Sequence, residues 1–142
     1  MHVKYAIIAN AVVPAGGGKW TIVGTFNTIR VKKDFPGRHG AIALLIRVEG
    51  HPREAGSHTV RVDFVNQLGE VVENQSSGGE FLLDPKSFVS GTPPYCDVAI
   101  EFPNGLALTE DGNFDFAIHI DDTYIDSVPL YVRRVDEQGR IV

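Results

Sequence analysis

Apolar and polar residues alternate with a period of two along most of this 142-residue chain. Between residues 58 and 66, Val60, Val62 and Phe64 alternate with Arg61 and Asp63. Strict alternation puts the apolar side chains on one face of an extended strand, so it predicts strands that are buried on one side. The stretches with this pattern, or with an apolar run of strand length, are residues 3–12, 20–31, 41–49, 58–66, 71–74, 80–83, 95–102, 114–121 and 124–133.

Three short turn sequences join neighbouring strands of this pattern. Residues 15–18, 66–69 and 121–123 are rich in Gly, Asn or Asp, which tolerate positive φ angles. Links this short connect antiparallel strands. With eight or nine short strands and no long helical period, the chain is predicted to be all-β and to form an antiparallel two-layer β-sandwich.

Three further segments refine the predicted fold. Residues 41–48 are almost entirely apolar, which predicts a central strand buried on both faces. Asp84 and Pro85 favour one helical turn over residues 84–90. The segment Asp111-Gly112-Asn113-Phe114 resembles the start of the penultimate strand in immunoglobulin-like sandwiches, with Phe114 where those domains often have Tyr. The predicted class is therefore an immunoglobulin-like sandwich.

The chain is long enough for one domain whose core needs no disulfide. That domain is predicted to span residues 1–134, with a C-terminal turn and short strand or tail at residues 135–142. The single cysteine, Cys96, excludes an intramolecular disulfide. No stretch approaches the roughly 18 apolar residues of a membrane span, and Ala9-Asn10-Ala11 is a poor imitation of an export signal. We expect a soluble, cytoplasmic protein without a membrane partner.

One local repeat stands out near the C-terminus. Residues 65–72 and 135–142 share a plan of Val, a turn-forming Asn or Asp, Gly three residues later and a return to Val or Ile. Both copies are predicted to be hairpin turns. The short strand after the second turn either folds back on the sheet or offers an edge to a partner, and it consists of Arg140, Ile141 and Val142.

Charge is segregated along the sequence. The whole chain has a net charge of −5 and a pI near 5.4. No Lys or Arg lies between Lys86 and Arg133, where eight acids occur. Residues 1–48 hold one acid, Asp34, against seven basic residues: Lys4, Lys19, Arg30, Lys32, Lys33, Arg38 and Arg47. Because these basic residues are dispersed among apolar ones, nucleic acid is not expected as a partner. The segregation predicts charged surfaces that meet another surface, unless basic and acidic strands pair within the fold.

No catalytic or cofactor motif survives a test against its mechanism. Gly16-Gly17-Gly18-Lys19 lacks the earlier Gly and the following Ser or Thr of a phosphate loop. His51 and His58 lack the further ligands of a zinc site. Asp111 and Asp122 flank one predicted strand, so they lie roughly 35 Å apart and cannot share a calcium ion. No G-x-S-x-G segment occurs. We therefore expect no enzyme activity, no cofactor and no bound metal.

Strand and turn patterns over most of the chain also carry a family resemblance. They lie in Tyr5-Ala6-Ile7-Ile8-Ala9, residues 18–26, Phe35-Pro36, and residues 44–50, 62–72 and 112–132. Together these segments resemble a family of small bacterial proteins known only as a domain of unknown function. The resemblance implies a β-rich fold, and it implies no activity and no functional residue.

The charge pattern predicts a non-catalytic interaction or assembly module that binds protein, with a homo-oligomer of the chain as one such assembly. The candidate contact residues are Asp121, Asp122, Asp126, Arg140, Ile141 and Val142. The alternative is a sandwich that binds a small ligand or carbohydrate through aromatic residues at strand starts. Those aromatics are Trp20, Tyr95 and Tyr124, for which the structural alternative is to close the ends of the core.

Overall fold

The computed structural model describes residues 1–32, 34–87 and 91–142, and this part of the chain is almost entirely β-strand. It also contains two 3₁₀ turns, Pro52–Glu54 and Pro85–Ser87. The strands are β1 His2–Gly16, β2 Lys19–Thr25, β3 Thr28–Val31, β4 Gly37–His39, β5 Ile42–Glu49, β6 Gly56–Val65, β7 Val71–Leu83, β8 Tyr95–Phe102, β9 Leu106–Leu108, β10 Gly112–Ile120 and β11 Thr123–Arg134. The all-β prediction is confirmed. No helix in the described ranges is long and apolar enough to cross a membrane.

The strands form two larger sheets and one small one. The strand order is β2-β1-β5-β8 in the first, β3-β11-β10-β6-β7 in the second and β4-β9 in the third. Neighbouring strands are antiparallel, as predicted, with one difference: β3 runs parallel to β11. The three predicted turns are hairpins, since they join β1 to β2, β6 to β7 and β10 to β11.

The two larger sheets share one apolar core. Phe64 on β6 stacks on Phe114 of β10, with ring centroids 4.8 Å apart. Phe116 on β10 meets Phe102 of β8 at 5.5 Å, which joins the five-stranded sheet to the four-stranded sheet. Each of these rings is buried or nearly so. Burying a side chain of this size stabilises the fold by ~1.5–3 kcal/mol, so the contact between the sheets is a large part of the stability.

Strand β5 is buried on both of its faces, which confirms the prediction for residues 41–48. Ile42, Leu44 and Ile46 point into the main core. Ala43 and Leu45 point the other way and belong to a second apolar cluster with Ala9, Val12, Tyr5, Trp20, Ile22 and Ala99. Because β5 pairs with β1 on one side and β8 on the other, it is central in its sheet.

The prediction of eight or nine strands is too low, because the described part of the chain has eleven. The alternation predicts one strand over residues 20–31, but the chain leaves the first sheet at Phe26, and β3 joins the second sheet. Residues 71–74 and 80–83 are ends of one strand, β7. The polar middle of β7 does not alternate between apolar and polar residues, so the pattern does not predict it as strand. Gly78 is required in this middle part, because an added Cβ would lie 2.4 Å from the carbonyl oxygen of Val60. Strands β4 and β9 have three residues each, too few to show a period.

The predicted helical turn near residue 84 is present in its described portion. Pro85–Ser87 is a 3₁₀ turn, and the Asp84 carboxylate accepts a hydrogen bond from the Lys86 amide at 2.9 Å. Residues 88–90 of this prediction, and Lys33 of the basic set, lie outside the described residues.

The two repeated turns have the same hydrogen bonds. The side-chain oxygen of Asn66 accepts from the amides of Leu68 and Glu70, each at 3.0 Å. The side-chain oxygen of Asp136 accepts from the equivalent amides two and four residues later, at 3.0 and 2.9 Å. In both turns the glycine has a φ of 80°, which residues other than glycine rarely adopt. The repeat seen in the sequence is therefore a repeat of structure.

The C-terminal segment folds back on β11. Val135 and Ile141 form an antiparallel bridge, and the Val142 amide donates to the Arg134 carbonyl at 3.1 Å. The C-terminal segment therefore pairs with the end of β11, beyond Val132, whose partner is Gly112 of β10. The fold-back alternative is thus the arrangement observed, although the side chains of Ile141 and Val142 are exposed.

The twin turns give a matched test of the fold. Replacing Asn66 with Ala removes two hydrogen bonds from the hairpin between β6 and β7, and we expect the free energy of unfolding to fall by about 1 kcal/mol. Asp136→Ala removes the same bonds from a short segment and should cost less than about 0.5 kcal/mol. Urea unfolding followed by Trp20 fluorescence measures both. Equal losses in the two variants would contradict this assignment.

Candidate functional site

The main link between the basic and acidic segments of the sequence is an ion pair within the four-stranded sheet. Arg47 of β5 and Asp97 of β8 are register partners. The Nε and NH2 groups of Arg47 donate to the two carboxylate oxygens at 2.7 and 2.9 Å. The Asp97 side chain is only 8% exposed and that of Arg47 is 30% exposed, so this bidentate pair is partly shielded from water. Part of the segregated charge is therefore paired inside the fold.

Aromatic side chains surround this ion pair. The Arg47 guanidinium lies 4.1 Å from the ring centroid of Tyr95 and 5.2 Å from that of Tyr5. The Tyr5 hydroxyl donates to Asp97 at 3.3 Å, and the Trp20 indole faces the same carboxylate. These donors, with Arg47 the strongest, hold the pKa of Asp97 below its usual value. The bond to Asp97 raises the pKa of Arg47, and burial raises the pKa of Tyr5.

The contact between Trp20 and Asp97 shows that the four-stranded sheet curls. Trp20 lies on β2 and Asp97 on β8, and β1 and β5 separate these strands in the sheet. In a flat sheet three strand spacings would put them roughly 14 Å apart. The curl brings Trp20 and Ile22 over Ala43 and Leu45, which completes the second apolar cluster.

Two of the three predicted aromatic platforms therefore meet, and the third lies elsewhere. Trp20 and Tyr95 both contact the ion pair, and Tyr95 remains 46% exposed. Tyr124 is on the five-stranded sheet, where its ring stands edge-on to His119 at 5.8 Å. Trp20 packs on the second apolar cluster, as the core-closing alternative predicts, whereas Tyr95 stays largely exposed beside Arg47.

The predicted acidic contact residues are partly engaged with their own chain. Asp121 and Asp122 form the turn between β10 and β11, both with positive φ. Asp121 accepts from the Thr59 amide at 3.0 Å and pairs with His58 at 2.7 Å. Asp122 pairs with the Arg61 guanidinium at 3.0 Å. The turn is thereby fixed to β6.

His58 is bonded to acceptors at both ring nitrogens. Nδ1 lies 2.7 Å from the Asp121 carboxylate, and Nε2 lies 2.6 Å from the Glu54 carbonyl oxygen. Two acceptors require two N–H donors, so this geometry fits the imidazolium. The Asp121 bond is the largest cause of a raised His58 pKa, and the same bond lowers the pKa of Asp121.

A buried carboxylate beside this turn was missed by the sequence reasoning. Asp63 is 6% exposed and accepts from Ser76 at 2.6 Å and from Arg61 at 3.3 Å, with His119 Nε2 at 3.4 Å. The sequence does contain an indication of this pair. Arg61 and Asp63 are two residues apart, so their side chains lie on one face of β6. The serine donates to the carboxylate, which gives Asp63 a full set of partners.

The two halves of the predicted contact set lie far apart. Asp121 and Asp122 precede β11, while Arg140, Ile141 and Val142 follow it. Twelve extended residues span roughly 40 Å, so these groups are at opposite ends of the sheet. No cluster of three or more His, Cys, Asp or Glu side chains that could hold a metal occurs within the described ranges.

The exposed edge of β11 is blocked against further pairing. β3 pairs only with residues 131–134 of β11. The Tyr131 amide donates to the carbonyl oxygen of Asn27, just before β3, so the Tyr131 nitrogen faces this edge. Backbone nitrogens two residues apart face the same edge of a strand. The nitrogens of Ser127 and Pro129 therefore face the part of the edge that β3 does not cover. Pro129 has no N–H, and the Asp126 carboxylate accepts from the Ser127 amide at 2.8 Å. Asp126 therefore protects an edge.

The outer edge of β2 lacks such protection. Among the described residues, β2 ends the four-stranded sheet and pairs with β1 on one side only. Val13 of β1 and Val23 of β2 are 50% and 51% exposed. Lys19 is its single charged residue. An edge with this composition is open to an added strand.

These features define an all-β protein in which a curled four-stranded sheet and a five-stranded sheet share one core. Residues 4–133 match the model of a family of unknown function, DUF6941, and the chain belongs to that family. This confirms the resemblance to a domain of unknown function. No curated protein matches the chain.

The partly buried ion pair of Arg47 and Asp97 gives a stability prediction. Asp97→Asn leaves Arg47 without its counter-charge among aromatic rings, and we expect the free energy of unfolding to fall by about 2 kcal/mol. Glu101→Gln removes an exposed acid from the same strand and should change it by less than about 0.5 kcal/mol. Urea unfolding at pH 7 distinguishes the variants. A small effect of Asp97→Asn would show that the pair contributes little to the stability of the fold.

His58 gives a prediction for pH dependence. Its pKa is raised in the folded chain, so its stabilising contribution is complete below the unfolded pKa of about 6.5 and is lost as pH rises through the folded value. We expect the stability lost above pH 6.5 to be smaller in His58→Gln. His2→Gln, which removes an exposed histidine and keeps His58, is the control. Thermal unfolding between pH 6 and 9 tests this, and an unchanged slope in His58→Gln would contradict it.

Proposed function

We propose that this chain is a non-catalytic, cytoplasmic interaction module, built as an immunoglobulin-like two-layer β-sandwich, that binds protein by accepting a strand at the outer edge of β2. The single observation that carries this proposal is the open edge of β2 beside the exposed Val13 and Val23. An unpaired edge offers a row of N–H and C=O groups, and exposed apolar side chains add buried area when a strand arrives. Nucleic acid and membranes have no part in this function.

The contrast with the other long strands at sheet ends supports this choice. The unpaired part of β11 is blocked by Pro129 and by Asp126. β7 lies against β8, where the Ser77 hydroxyl donates to the Glu101 carbonyl at 2.7 Å. Proteins normally protect an edge unless it is used. Leaving β2 open while these neighbours are covered is consistent with a binding role.

A second copy of the chain is the partner that this edge fits. Antiparallel pairing of two β2 strands around Ile22 would place Lys19 opposite Thr25 and Trp20 opposite Gly24. No like charges face each other in that register, so repulsion does not oppose it. Pairing of two identical edges about a twofold axis also closes the assembly as a dimer.

The acidic turn and the C-terminal segment form a second candidate surface for the same function. It consists of Asp121, Asp122, Asp126, Arg140, Ile141 and Val142. The first two are already paired with His58 and Arg61, whereas Ile141 and Val142 present exposed apolar side chains. The salt dependence of binding distinguishes the two candidate surfaces. Contacts between exposed charges weaken near 1 M salt, where the Debye length is about 3 Å. Backbone pairing at β2 should persist there.

The edge proposal predicts the behaviour of one valine. Val23→Lys places a charge on the open edge, and we expect it to lower the mass of the purified protein from dimer to the 15.5 kDa monomer. Val71→Lys alters a valine of similar exposure on β7 and should leave the dimer intact. Light scattering at low salt and near 1 M salt measures both. A monomeric parent protein, or a dimer that survives Val23→Lys, would refute pairing at β2.

A further inference from the structure

A cavity of about 320 Å³ lies beside β3 and β4, away from the edge of β2. It is lined by both strands, by part of the segment between them, and by Leu108 of β9. Its volume falls within the range of small-molecule sites, near the lower end of about 300–1,000 Å³. A compact ligand would fill it.

The charge of the cavity wall is positive. Among the described residues, Arg30, Lys32 and Arg38 line it, against one acid, Asp34. Asp34 is already in an ion pair with Arg134, which does not line this cavity. In the described part of the wall, three cations and one acid leave a formal surplus of two positive charges. A bound anion would therefore meet cations that the wall itself does not neutralise.

One of these cations is held in place by the protein. The Arg38 NH1 group donates to the Asn104 carbonyl oxygen, in the loop that precedes β9. A guanidinium has five N–H donors, so one such bond leaves others for a ligand. Arginine presents them as a planar fork that matches the oxygens of a phosphate or carboxylate. Anchoring the fork lowers the cost of ordering it when the ligand binds.

The other side of the cavity is apolar. Val31 and Pro36 supply its accessible apolar surface, because Ile29 and Leu108 also line it but are almost fully buried members of the main core. A free inorganic ion would leave this surface exposed to water. A ligand with an anionic head and a small apolar body would use both sides.

We propose that this cavity binds a small phosphate monoester with an apolar organic group. A phosphate monoester carries a charge of about −1.5 to −2 at pH 7, which matches the surplus charge of the wall. A carboxylate of the same size carries half that charge and should bind more weakly. Three of the seven basic residues of the N-terminal segment thereby acquire a common role. This ligand site is separate from the open edge of β2.

The test uses the full chain and phenyl phosphate as the probe. Titration followed by two-dimensional amide NMR should shift the signals of residues 29–32 and 37–39, and calorimetry gives the affinity. We expect inorganic phosphate, benzoate and benzyl alcohol each to bind more weakly, because each lacks part of the match. Equal affinity for inorganic phosphate, or shifts confined to other regions, would overturn the proposal.

Charge variants locate the site. Lys32→Gln and Arg38→Gln are each expected to weaken phenyl phosphate binding about tenfold, as loss of one charge-assisted contact would. Lys4→Gln, which removes an exposed lysine of β1, should leave binding unchanged. Arg38→Gln also removes the bond to Asn104, so Lys32→Gln decides the question if that variant is unstable. Equal binding by Lys32→Gln and the parent would overturn the assignment, and Val23→Lys should not affect binding.

Discussion

The structure depends on β5 being buried on both faces. One face supplies Leu44 and Ile46 to the core shared by the two larger sheets. The other face carries Ala43 and Leu45, which water would contact in a flat sheet with nothing packed on that side. The curl of the sheet covers them with Trp20, so no further segment of the chain is needed to bury them. Arg47 follows on the same strand, and the neighbouring strands β1 and β8 give its charge both a carboxylate and aromatic neighbours.

The segregation of charge in the sequence is resolved by the fold in two ways. Arg47 forms an ion pair with Asp97, because their strands are neighbours. The acids of the last turn form ion pairs with side chains of β6. Within the described part of the chain, Arg30, Lys32 and Arg38 have no acidic partner of this kind, and all three line one cavity. Segregation along a chain therefore carries little information until strand order is known. Two neighbouring strands neutralise each other, while residues from short, irregular segments can remain available to a ligand.

Local features could be predicted from the sequence, and features that depend on distant strands could not. The alternation in β6, the apolar run of β5 and the shared plan of the twin turns depend on neighbours within a few residues, and each was identified. The parallel pairing of β3, the contact of Trp20 with Asp97 and the partners of Asp63 join residues far apart in sequence. A period of two says which face of a strand is buried, but it does not say which strand lies beside it.

Both proposed sites arise where the chain crosses between sheets. The amide of Phe26 donates to the Ile8 carbonyl as β2 ends, and two residues later β3 pairs with β11 in the other sheet. Because the chain leaves at this point, β2 is the last strand of its sheet and has an open edge. The same crossing places β3 at the end of the five-stranded sheet, beside the cavity with the three cations. The predicted single strand over residues 20–31 therefore does not indicate either site. A continuous strand would not end at Thr25 and would not join the second sheet.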